Sequence, residues 1–300
     1  MLERYDKPVL SFRQQVELLE SRGLVIDNRA LAEAALADTN YYRLSAYWIP
    51  FQQERDIFRP GTAFEDIRAL YEFDQKLRIG VVQGLERFEI AFRTTAANYL
   101  ADTYGPFAHA DSANFDPSFN HAAWYGKLVE EITRARETFI DHYKAKYEGF
   151  PALPIWMAVE VMSFGSLSYL YRGMKRRDRE SISTRFDAAE PVMVSWLHTL
   201  VYIRNLCAHH SRLWNRDLAV APILPRSNRD WHPPSFAGNK RIASVLFVLN
   251  HLLKKLSRGS DLAPNWRAKI VSLCDGGAPL RDFESHMGFP ENWRTHKLWS

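Results

Sequence analysis

Apolar residues recur every three to four positions along this 300-residue chain, and no convincing run of strict alternation interrupts them. That period turns one face of each helix toward a core and argues against a sheet-based fold, whose half-buried strands alternate with period two. Helix punctuation agrees. SFRQQVELLESRG offers Ser11 as a helix cap and Gly23 as a stop, Asp27 opens an alanine-rich helix, and NYYRLSAYWIPF ends at Pro50. Thr62 and Glu65 stand in capping-box spacing before a long helix expected to reach about Leu100, which Gly80 and Gly84 break or tighten. A second long helix is expected from Ser118 to Tyr147. IWMAVEVMSFGSLSYLYRGM, a basic turn KRRDR and a helix reaching residue 214 follow. After the proline-rich loop 221–239, RIASVLFVLNHLLKKL and NWRAKIVSLC supply closing helices. The expected fold is all-α, one domain over residues 1–300, with an N-terminal helical region 1–60 and a helical core 61–300. No internal repeat or linker divides it.

A hydrophobic content of 46% suffices for a substantial core. The balance of 39 Lys and Arg against 35 Asp and Glu, a net +4, is compatible with a nucleic-acid partner without establishing one. Cys207 and Cys274 are the two cysteines, too few for a disulfide framework and not in a CxxC pair, so a reducing cytoplasm is the expected location. The charged N-terminus lacks an apolar signal core, and no stretch approaches ~18 uninterrupted apolar residues. A soluble chain is expected, with no membrane partner. Dinucleotide and P-loop glycine motifs and a serine elbow are absent, and no cofactor is expected.

RNLCAHHSRLWNR, residues 204–216, concentrates the polar chemistry. On a helical wheel with Asn205 at zero, Trp196, Leu200, Ile203, Cys207 and Trp214 fall between roughly 160° and 220°, a core stripe. His198, Tyr202, Asn205, His209 and Arg212 lie within about 60° of zero. Asn205 and His209, four apart, can meet, and the long stem of Arg204 can swing toward them. An imidazole that exchanges a proton near neutral pH, beside a cation shaped for phosphate, suits cleavage of an RNA phosphodiester without a metal. The spacing alone is weak, because an Arg followed five or six residues later by a His also occurs at Arg136, Arg226 and Arg281. A solvated helix face is the plain alternative.

Adjacent His209 and His210 point about 100° apart on a helix, unlike the i, i+4 pair of a helical zinc site. No metal site is expected. The wheel turns His210 toward the core stripe, as a structural histidine. Lys175, Arg176, Arg177 and Arg179, usually read as a solvated turn, can form a phosphate-binding surface with Arg212, Arg216, Arg226 and Arg229.

RNLCAHHSRLWNR resembles the signature of the AbiD/AbiF-like abortive-infection proteins, a branch of the HEPN superfamily of helical ribonucleases. SFRQQVELLESRGLVID, NYYRLSAYWIPF, LERFEIAFRT, PIWMAVEVMSFGSLSYLY and GFPENW resemble that family's successive landmarks, so the likeness covers nearly the whole chain. The resemblance implies a HEPN-like helical bundle with additional N-terminal helices, and places the signature on Arg204, Asn205 and His209. It further implies an endoribonuclease toxin of anti-phage defence, held inactive by a small noncoding RNA and dimeric through the HEPN helices. In that scheme His209 transfers protons, Arg204 holds the scissile phosphate, and Asn205 orients its neighbours. His210 and Arg212 assist them or support the fold. Two other classes fit the chain: an RNA-binding regulator with little turnover, and an interaction protein whose apolar helices dock a partner.

Overall fold

The computed structural model describes residues 6, 8–233, 235–236, 238–256, 261–280 and 282–300, and it is mostly helical. Its contacts group the chain into two units, Met1–Arg78 with Ile270–Glu284, and Ile79–Lys269 with Ser285–Ser300.

In the first unit, α1 (Phe12–Ser21) begins in a capping box. The Ser11 hydroxyl accepts from the Gln14 N–H, and the Gln14 side chain accepts from the Ser11 N–H at 2.9 Å. α2 (Arg29–Thr39) is capped by Asn28, not Asp27, through a 3.0 Å bond from the Leu31 N–H. Asn40, at φ 72°, ends α2 and starts α3 (Tyr41–Trp48). Asparagine tolerates that left-handed conformation better than most side chains. After Pro50 the chain forms a feature the apolar period did not announce, a small antiparallel hairpin of β1 (Gln52–Glu54) and β2 (Ile57–Phe58), turning at Asp56 with φ 65°. Two strands this short leave little room for alternation to show.

α4 (Phe64–Tyr104) belongs to the first unit up to Arg78 and to the second from Ile79. It starts differently from the Thr62–Glu65 expectation: the Asp66 carboxylate accepts the Ala63 N–H at 3.0 Å, and Thr62 is buried. Within the first unit its Asp74 is fully buried, accepts a hydrogen bond from the Tyr47 hydroxyl at 2.6 Å and pairs with buried Arg78. Burial, then the neighbouring Asp74 charge, push the Tyr47 phenol well above its ordinary range.

The second unit continues through α5 (His121–Arg134), α6 (Thr138–Lys146), α7 (Ile155–Val161), α8 (Phe164–Gly173), α9 (Arg176–Thr184), α10 (Glu190–Ala208), α11 (Ile242–Leu256) and most of α12 (Leu262–Asp275). The helix expected over 118–147 is two, because Ala135 and Glu137 are extended. Ser163 separates α7 from α8 by capping the latter, and the KRRDR run opens α9 instead of making a turn. A short last helix, α13 (Phe283–His286), precedes the chain end.

Gly80 and Gly84 do not break α4; Gly84 admits Trp266. The indole Nε1 donates to the Gly80 carbonyl at 2.8 Å, and a Cβ on Gly84 would lie 2.8 Å from that nitrogen. Gly84→Ala should therefore cost about 1–3 kcal/mol, the usual penalty of overpacking, despite alanine's higher helix propensity. Denaturant unfolding measures this; a stabilised variant would refute the account.

α11 is buried almost all round, and the C-terminal aromatics close over its end: Phe289 and Trp293 stack at 4.1 Å, and buried Asn250 donates to the Leu298 and Trp299 carbonyls at 2.9 and 2.8 Å. Elsewhere in the second unit a buried histidine makes stability depend on pH. Burial, and secondarily the charge of His121, lower the His109 imidazole to about 4. A depressed folded-state value means that unfolding binds a proton, so the stability His109 contributes is complete above its unfolded value of about 6.5 and is lost as pH falls toward about 4. His109→Phe should flatten the fall in melting temperature across that window; an unchanged slope would assign the effect elsewhere.

Candidate nucleic-acid cleavage site

α10 has the predicted two faces as far as it is helical. Trp196, Leu200 and Ile203 are fully buried and Cys207 nearly so, while His198, Asn205 and His209 are exposed and Tyr202 half-buried. The apolar stripe holds the helix rigidly against the core, so the opposite face is displayed by a fixed scaffold.

The helix stops at Ala208, earlier than the wheel required. His209 caps it, donating its N–H to the Asn205 carbonyl at 3.0 Å, and so keeps its place on the face beside Asn205. His210 then adopts φ 54°, its N–H bonding the Cys207 carbonyl at 3.0 Å while the Ser211 N–H reaches the Leu206 carbonyl at 2.9 Å. This is a Schellman closure with histidine in the left-handed position that usually holds glycine. Such strain in a non-glycine residue costs on the order of 1–3 kcal/mol and tends to gather at functional sites. The closure overturns two wheel positions. His210 is exposed and does not point to the core, and Trp214 is buried through its own segment, edge-on to His286 at 5.6 Å, not through a helical stripe.

Arg204, Asn205 and His209 thus share the last turn and cap of one helix, all exposed. The Arg204 Nη1 donates to the Asn205 Oδ1 at 3.4 Å, a long contact that links the cation to the amide. Half-buried Arg212 follows the turn, and its carbonyl accepts from the Arg216 Nε at 2.8 Å. Buried Leu213 and Trp214 hold this segment down.

The other basic residues fall in separate places. Lys175 lies over the Tyr104 ring at 5.7 Å, and Arg177 donates to the Tyr104 hydroxyl at 3.0 Å. Exposed Arg176 pairs with Glu180 at 2.8 Å. Arg179 turns inward, its guanidinium paired with Glu190 and donating to the Arg172 and Met174 carbonyls at 2.9 and 2.7 Å. It ties α8, α9 and α10 together. Arg226 and Arg229 are exposed on the proline-rich loop, which is anchored to α10: the Ile223 N–H donates to the Ser195 hydroxyl and the Trp196 indole to the Ile223 carbonyl, both at 2.9 Å.

Among the described residues no group of three or more His, Cys, Asp or Glu side chains is placed to hold a metal ion, and no helix is long and apolar enough to cross a membrane. Neither a curated protein nor a solved structure matches the chain. The family described as Abi-like protein matches over residues 34–215, more than half of the chain, a span that ends just beyond the Arg204–His209 turn. The chain belongs to the Abi-like protein family, a family of abortive infection.

Proposed function

We propose that this protein is a metal-independent endoribonuclease of the HEPN type, a toxin of phage defence restrained by a small noncoding RNA. The observation that carries the reading is the exposed Arg204, Asn205 and His209 on the last turn and cap of a helix whose other face is locked in the core. The chemistry follows from the side chains. A ribose 2′-hydroxyl loses its proton and attacks the neighbouring phosphorus; the bond to the 5′-oxygen breaks, leaving a 2′,3′-cyclic phosphate and a 5′-hydroxyl that gains a proton. His209 serves proton transfer, and Arg204 faces charge growing on the phosphate oxygens. Asn205, accepting from Arg204, orients the guanidinium. One chain offers a single histidine at this cap position, and a second copy apposed through the same helices supplies the other proton-transfer group.

The test is the product. RNA cleaved in the presence of EDTA should carry 2′,3′-cyclic phosphate ends; strict dependence on added magnesium would overturn the mechanism.

A further inference from the structure

At the other end of α10 lies an open cleft of about 440 Å³, within the usual size of small-ligand sites. Asp116, Phe119, Tyr169, Arg172, Glu190 and Val194 line it. Its aromatic wall is built: the Phe119 and Tyr169 rings lie 5.2 Å apart at 52°, and Phe119 occupies the space beside Gly173, where a Cβ would come within 2.4 Å of the ring. Tyr169 is 43% exposed, leaving ring surface for a further planar group. The Arg179 ion pair fixes Glu190 in the lining, and the Asp116 Oδ1 accepts from the Ser118 hydroxyl at 2.6 Å, a bond that holds its carboxyl below the ordinary range. Arg172 is exposed.

Planar stacking surface, carboxylate acceptors and a cation together match a nucleotide: base on the rings, exocyclic amino group to Asp116 or Glu190, phosphate to Arg172. The helix connects this cleft to the cleavage turn. Residues fourteen apart on an α-helix lie within about 40° of each other and about 21 Å along its axis. Glu190 and Arg204 stand in that relation, as do Pro191 and Asn205. Between them Pro191, Val194, His198, Tyr202, Asn205 and His209 form an unbroken exposed or half-buried line at three- and four-residue steps. About six stacked nucleotides, or fewer extended ones, span that length at ~3.4 Å each.

We propose that the cleft holds one nucleotide of the RNA whose scissile phosphate lies at Arg204 and His209, with the strand running along the exposed face of α10. The proposal rests on the RNA reading above and adds where the strand goes. Tyr202 and His198, midway along, offer further stacking surface, and Arg226 lies three residues beyond the loop's anchor on Ser195.

The test measures fluorescence anisotropy of adenylate oligonucleotides of three and twelve residues, and of AMP, on His209→Ala protein, which leaves the RNA uncut. Cleavage of both oligonucleotides by proteins with intact His209 is read alongside. Tyr169→Ala should weaken the twelve-mer about ten-fold and lower its kcat/KM similarly, leaving trimer cleavage unchanged. Tyr169→Phe should restore both values, and a photoreactive base within the twelve-mer should crosslink to the peptide containing Tyr169. Twelve-mer binding that ignores Tyr169 overturns this inference and leaves the ribonuclease reading standing. AMP bound as tightly as the twelve-mer marks an independent nucleotide pocket and overturns the track. Binding of the twelve-mer through Tyr169 with no cleavage keeps the track and sinks the enzyme; no RNA binding at all removes both.

Discussion

Alanine in place of His209 or Arg204 should, on the proposed ribonuclease mechanism, lower RNA cleavage by at least about a hundred-fold each and abolish growth arrest, because proton transfer and phosphate stabilisation are each worth that much or more. Neither change touches the core. Both side chains are exposed, Arg204 lies within a helix where alanine is the best former, and His209 sits at an ordinary negative φ of −89°. Melting temperatures should stay within a few degrees of the parent, so lost activity cannot be assigned to unfolding. Asn205→Ala should act more mildly, since it removes the acceptor that orients Arg204 and leaves the charge in place. Full cleavage by both the His209 and Arg204 variants would end the ribonuclease proposal. Tight, salt-sensitive RNA capture with the RNA length unchanged in the parent would identify a binding protein with little turnover instead.

The largest stability effect is expected within the first unit. Asp74→Ala should destabilise by about 3–5 kcal/mol, the cost of removing one partner from a buried ion pair. Asp74 is 0% and Arg78 5% exposed, and the same carboxylate takes the Tyr47 hydroxyl. Asp74→Asn keeps an acceptor for both neighbours and should lose less. The paired change Asp74→Leu with Arg78→Met should recover most of the loss, because a well-packed apolar pair avoids desolvating two charges. Denaturant titration of the four proteins reads this directly. A loss below ~1 kcal/mol for Asp74→Ala would show that the pair is screened by water.

Helix content was legible because an apolar period of three to four states which face is buried, and local caps such as Ser11 depend on neighbouring residues alone. Errors arose where distant residues decided. Gly80 and Gly84 look like breakers until Trp266 bonds the Gly80 carbonyl and fills the space that the missing side chain of Gly84 leaves. The 118–147 segment keeps a helical pattern across a break at Ala135. At the candidate site, the wheel found Asn205 and His209 on one face through geometry internal to α10. It misplaced His210 because the left-handed closure depends on where the chain goes next, down to buried Trp214.

The sequence by itself therefore determined a mostly helical chain and the shared face of Asn205 and His209, since both follow from helical periodicity within single segments. Arg204 lies about 100° off that face and joined the pair only through the family resemblance. Only the tertiary structure decided that α10 ends at Ala208 and that Arg179 is turned inward to Glu190. The cleft too was invisible along the chain, because residues from 116 to 194 meet there through packing between helices, which no local pattern records.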